Sequence, residues 1–175
     1  MLDLSVSYNR YKFLGCEFLT WLWFVIEKEQ ERFLNKDGKS ASLAIGNRIV
    51  LEKRIDDDTH ESVTIKGDDA GLEEGVLALK KGAVVTQINL VYTEGDFQWK
   101  FALTGESLNV TGLKPPETAI VEIKDDIEGA VLEKVFLYGK VVELIDRLYQ
   151  QFIQLRVSDQ WDNQLVPQLK QWINS

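Results

Sequence analysis

Apolar residues crowd one short run near the start of the chain. Phe18, Trp21, Leu22, Val25 and Ile26 recur at i, i+3, i+4 spacing, while Leu19, Trp23 and Phe24 carry apolar character round the other side. No proline interrupts the run, and "EKEQERF" closes it with helix formers, so the pattern predicts a helix over residues 13–33. A helix apolar on most faces has to be buried, by its own domain or by a partner. Residues 1–12 are expected to form a flexible leader, and "NKDGKS" (35–40) a loop.

The pattern then shortens to period two. "ASLAIGNRIVLEK" predicts a hairpin turning at Gly46 and Asn47, "DDDTHE" (56–61) a second turn, and "SVTIK" a short strand. "DDAGLEEGVLALKKG" carries helix signals at both ends. Asp68 or Asp69 can cap it, Glu73 and Glu74 suit its first turn, Lys80 and Lys81 its last, and Gly82 its stop. Leu72, Val76 and Leu79 form its expected buried stripe. "VVTQINLVY" and "FQWKFAL" alternate cleanly and are joined across "TEGD". Phe97, Trp99, Phe101 and Leu103 share one face; Gln98, Lys100 and Thr104 share the other. "SLNVTGL" extends the meander towards Pro115 and Pro116, and "AIVEI" is a last short strand.

From Ile127 to Val157 the helical period returns. Val131, Val135, Tyr138, Val142, Ile145, Tyr149, Phe152 and Ile153 mark the apolar side, with Glu133, Lys140, Glu143, Arg147, Gln150 and Gln154 opposite. Ser158 or Asp159 is placed to cap a final short helix, which Pro167 interrupts before Trp172. The predicted fold class is therefore α+β: an antiparallel meander packed against an apolar N-terminal helix and a long amphipathic C-terminal helix, in one domain over 1–175.

Composition adds limits. At 175 residues, 45% apolar and 27% charged, the chain is long enough for a sizeable core, and five Trp, eight Phe and five Tyr argue against disorder. The apolar run contains Glu17 and spans about 14 residues, short of the ~20 that cross a bilayer, so no membrane is expected. It has no small-residue cleavage site, so an export signal is not expected either. The formal charge of −8 is uneven: residues 1–55 hold nine Lys/Arg against seven Asp/Glu, 56–130 six against sixteen, and 131–175 five of each. The acidity belongs to the middle, and the first third can face a polyanion.

Candidate chemistry is thin. Cys16 is the only cysteine and His60 the only histidine, which excludes an intramolecular disulfide, a His-dependent triad and multi-His metal sites. Asp56–Asp58 beside His60 do not match a calcium-loop spacing and fit an acidic turn better. Cys16 has no histidine nearby to activate it and reads as a small buried side chain rather than a nucleophile. Neither the dinucleotide fingerprint nor the P-loop spacing occurs. No cofactor, no metal and no catalytic residue is assigned. Aromatics interleave with basic groups at "YNRYK" (8–12) and "FQWKF" (97–101), but in the second the alternation points to a buried strand face rather than a stacking platform.

"FLGCEFLTWLWF", the stretch from "VTIKGDDAGLEEGVLALKKGAVV" through "TGLKPP", and "LIDRLYQQFIQLRVSDQW" together resemble the C-terminal half of the RdgC family of recombination-associated proteins, in the same order over about residues 13–162. The resemblance implies a cytoplasmic, nucleoid-associated, non-enzymatic protein. Such a protein binds double-stranded DNA without marked sequence preference, as a ring-shaped dimer, and restrains the RecA recombinase. Family members are generally longer, so closing a ring here calls for more copies or a second protein. DNA held through phosphates would be met first by Arg10, Lys12, Arg48, Lys53 and Arg54, then by Lys140 and Arg147, residues chosen by charge. The alternative is a protein-interaction or oligomerisation module without DNA binding, using the first helix or the long C-terminal helix.

Overall fold

A computed structural model of the chain describes residues 4–29, 33, 41–55, 59–67, 72–117 and 127–175. The apolar run forms helix α1, Leu4–Lys28. It begins at Leu4 rather than at Phe13, so the backbone of the segment expected as a leader continues the helix from Leu4 onward, and it ends at Lys28 rather than Phe33. From Phe18 to Ile26 every residue but the half-buried Thr20 is buried, as a helix apolar on most sides requires.

Five strands follow: β1 (Ala41–Arg54), β2 (His60–Lys66), β3 (Val84–Glu94), β4 (Phe97–Thr104) and β5 (Val110–Lys114), with helix α2 (Leu72–Lys80) between β2 and β3. They make one antiparallel sheet in the order β2-β1-β3-β4-β5. The expected hairpin at Gly46–Asn47 is not formed. Residues on both sides of it pair with β3, which is long enough to span them, so β1 runs on as one strand. The turn-prone residues are absorbed as a bulge between Ile45↔Leu90 and Ile49↔Ile88, where β1 carries two more residues than β3. The bulge is tied down by Asn89 Nδ2 donating to Asn47 Oδ1 at 3.0 Å and by the Gly67 N–H donating to the Asn47 carbonyl at 3.2 Å.

Helix α2 stops as expected at Gly82. Gly82 N–H donates to the Leu79 carbonyl and Ala83 N–H to that of Ala78, the paired bonds of a Schellman stop. Leu79 is buried and Val76 half-buried on its inner side; the expected cap at Asp68 or Asp69 and the side chain of Leu72 lie outside the described residues. So do the 35–40 loop, Asp56–Asp58 and the "AIVEI" strand.

The long helix α3 covers Ile127–Arg156, and after a π-helical turn (Trp161–Leu165) the chain ends in helix α4, Val166–Asn174. Pro167 does not interrupt this last helix. It sits in the first turn of α4, directly after the π-helical turn, and the backbone stays helical through it. Ser158 is not a cap either: its hydroxyl donates back to the Leu155 carbonyl at 2.8 Å.

The helices gather on one face of the sheet. Leu43, Leu51, Ile88, Leu90, Trp99, Phe101 and Leu103 meet α1 there, and α3 closes over α1 through an aromatic cluster. Phe18 lies 5.3 Å edge-on from Tyr149 and 5.5 Å from Phe152, which in turn is 5.6 Å from Trp161. Trp99 Nε1 donates to the Leu137 carbonyl at 3.0 Å, pinning α3 to β4. On the far side Glu27 accepts from both Trp23 Nε1 (2.6 Å) and Trp172 Nε1 (2.8 Å), joining α1 to α4.

Gly15 explains how α1 comes so close. A Cβ at Gly15 would lie 1.7 Å from the Gly105 carbonyl oxygen, in the turn after β4, so helix and turn meet backbone to backbone. The buried stripe of α3 differs from the expected one. Ile145 and Phe152 are buried as predicted, but Val131, Val135, Tyr138 and Val142 are exposed, and Leu137, Val141, Leu144 and Leu148 take the core side. The apolar side of α3 is wider than the surface α1 and the sheet offer it.

Candidate nucleic-acid interface

Strand alternation gives the sheet a second face, and among the described residues no helix covers it. Ile49 and Ile65 point to the core, so their neighbours Arg48 and Lys66 point away; the same parity turns Lys100 away from Trp99 and Phe101. All four of Arg48, Lys66, Lys100 and Lys114 are exposed. The register then sets them in two pairs. Arg48 stands directly opposite Lys66 across β1–β2, and Lys100 directly opposite Lys114 across β4–β5.

Like charges placed directly opposite on neighbouring strands cost stability, and here the fold does so twice. Among the described residues no ion pair joins any of the four to a carboxylate. Between the two pairs the face is built of small and amide residues: Gly46, Asn47, Asn89, Val91, Ala102, Thr111 and Gly112 line a shallow cleft of ≈ 510 Å³ edged by Lys100 and Lys114. Two bulges shape it, the one in β1 and a second in β5, where Gly112 at φ 60° takes up the extra residue between Lys114 and Thr111. No aromatic side chain joins this face from β4, since Trp99 and Phe101 are in the core. It presents charge and amides, the groups that meet phosphate oxygens.

The candidates chosen by charge alone are scattered. Arg48 is on the open face. Lys53 is half-buried on the other side, opposite Glu61 in the strand register and beside α2 in a smaller groove of ≈ 210 Å³. Lys140 is held by Glu94, Nζ to Oε2 3.4 Å, and lies over the Phe136 ring at 5.5 Å. Arg147 is half-buried near Tyr92, whose hydroxyl pKa is raised by burial and by Glu94 and drawn back by Arg147. The side chains of Arg10, Lys12 and Arg54 lie outside the described residues. Lys66, Lys100 and Lys114 were missed because charge counted along the chain hides pairing across strands; the polar alternation of "FQWKFAL" was the one signal that pointed to Lys100.

Other reactive groups lie elsewhere. His60 opens β2 at the sheet edge, and Cys16 packs against Gly105 on α1. Among the described residues no group of three or more His, Cys, Asp or Glu is placed to hold a metal ion. Among them, too, no helix is long and apolar enough to cross a membrane. Glu17 pairs with Arg156 at 2.9 Å where α1 meets α3, yet burial lifts its carboxyl pKa above the ordinary value despite the guanidinium.

The chain was compared with family models, with curated proteins and with solved structures. None of the three gives a match.

Proposed function

We propose that this chain is an RdgC-like, non-enzymatic protein that binds duplex DNA through its phosphates on the open face of the sheet. The observation that carries the reading is the pair of like-charged cross-strand contacts, Arg48–Lys66 and Lys100–Lys114. Folding gains nothing from them, whereas a polyanion laid across the face neutralises all four. The lack of aromatics from β4 on that face favours backbone contact over base stacking, and therefore binding without sequence preference. Most of the acidity lies away from the cleft, with Glu61, Glu73 and Glu74 at the β2 edge and on α2; Glu52 shares the open face with Arg48, four residues further along β1 and outside the cleft lining. The sequence resemblance to the RdgC family points the same way.

The test is a fluorescence-anisotropy titration of a labelled duplex at several salt concentrations. Four phosphate contacts give a log–log salt slope of about −3.6, hence a loss of roughly 10²-fold in affinity between about 50 and 200 mM salt. Absence of binding at about 50 mM salt overturns the reading. A second reading, an interaction module without DNA, is favoured by the exposed apolar side of α3.

A further inference from the structure

The exposed side of α3 has an order that core packing does not explain. Val131, Val135, Tyr138, Val142, Ile145, Tyr149 and Phe152 follow one another at spacings of four and three residues throughout. This is the a/d repeat of a coiled-coil seam, sustained over three heptads. Its C-terminal half is filled within the chain: Ile145 and Phe152 are buried, and Phe18 of α1 packs on Tyr149 and Phe152. Its N-terminal half meets nothing comparable among the described residues. Val135 is 64% exposed, Val142 62%, and Phe136 and Leu132 beside them 62% each. One seam on one helix is thus half occupied.

We propose that a second copy of the chain fills the vacant half, with the two α3 helices packed antiparallel about a two-fold axis between Val135 and Tyr138. In that register Val131 faces Val142 of the second copy, and Val135 faces Tyr138 of the second copy. Four a–d layers form with no charged residue in any of them. The arrangement is self-complementary, as a two-fold contact has to be. Leu132 comes alongside Gly139 of the second copy, where a Cβ would meet nothing within 4 Å in the single chain, so a large side chain is matched to open space. A parallel pairing would instead set these e positions beside g positions of the second copy, Leu132 by Ile127 and Gly139 by Lys134, and match neither to the other.

Area supports an occupant of this kind. At their exposures Val131, Leu132, Val135, Tyr138 and Val142 present on the order of 500 Å² per copy, about 1,000 Å² in all, the size at which a specific and concentration-dependent interface begins, with Phe136 at its rim under Lys140. That is also as large as the largest apolar patches monomers leave in water. The proposal does not depend on DNA binding, because the seam and the open sheet face share no residue.

Sedimentation equilibrium and directed cross-linking test it. The chain is expected to show a concentration-dependent mass rising to twice the 20.0 kDa of one copy. Val135→Glu is expected to hold it at one copy with an unchanged circular dichroism spectrum, since the exposed site tolerates the charge in a lone chain. A mixture of Val131→Cys and Val142→Cys chains is expected to form disulfide-linked dimers on oxidation. Val131→Cys alone is not, because its two cysteines would lie roughly 16 Å apart along the helices. The unmodified chain, carrying Cys16 only, is the control. A single-copy mass at every concentration overturns the proposal, as does a dimer indifferent to Val135→Glu, and self-linking of Val131→Cys overturns the antiparallel register.

Discussion

The two faces of the sheet are made by the same strands and answer to different demands. On the covered face Leu43, Ile88, Leu90, Trp99, Phe101 and Leu103 meet a helix that is itself apolar all round, and each side chain is accounted for by the area it removes from water. On the open face Arg48, Lys66, Lys100 and Lys114 stand in pairs that weaken the fold. Residues that packing explains say how the chain folds. Residues that packing would reject, yet the register brings together, point to something the folded chain meets.

The contrast can be broken by substitution. The largest effect belongs to the covered side: Phe18→Ala empties the centre of the aromatic cluster and is expected to cost about 3–5 kcal/mol by urea unfolding. Gly15→Ala comes next, at about 2–3 kcal/mol. The new Cβ meets the Gly105 carbonyl oxygen at 1.7 Å, and α1 must retreat from the sheet, which outweighs the gain in helix propensity. If Gly15→Ala were neutral, the close approach of α1 to the turn after β4 would be wrong.

Glu17 gives a pH signature for the same side. Its folded-state pKa is raised by burial, so its contribution to stability is full below the ordinary carboxylate range and is lost as pH rises through the raised value. Glu17→Gln stays uncharged throughout, so its stability relative to the wild type is expected to rise across that window. Urea midpoints at about pH 4 and about pH 7 compare the two; a difference that stays constant or falls contradicts the assignment.

The smallest effect on stability, and the most telling in sign, is on the open face. Lys100→Glu turns the Lys100–Lys114 contact into an opposite-charge pair and is expected to stabilise by about 0.2–1 kcal/mol. A charge reversal that strengthens the fold while weakening binding separates the roles of the two faces.

Much of this was legible along the chain. The alternation of "FQWKFAL" put Trp99, Phe101 and Leu103 on one side because a strand half in water leaves a period of two, and the all-round apolar run of α1 announced burial. What failed did so for physical reasons. Gly46–Asn47 has the chemistry of a turn, but whether the chain turns or bulges depends on β3 being long enough to pair with both flanks. Pro167 reads as a breaker, but the chain passes there from a π-helical turn into α4 and stays helical. The stripe of α3 was right only for Ile145 and Phe152 among its buried residues, because the apolar side of the helix is wide and the period alone does not say which edge of it meets the core. The paired cations were out of reach for a related reason, since Lys100 and Lys114 become neighbours only once the bulge at Gly112 has set the register.

The central claim is that the open face holds DNA phosphates, and the Lys100→Glu/Lys114→Glu double variant tests it most directly. Measured by anisotropy against the same duplex at about 50 mM salt, it is expected to lose at least about tenfold in affinity and to have a salt slope shallower by about 2, while remaining folded, since one like-charged pair replaces another. Unchanged affinity and slope in a folded double variant would contradict the account.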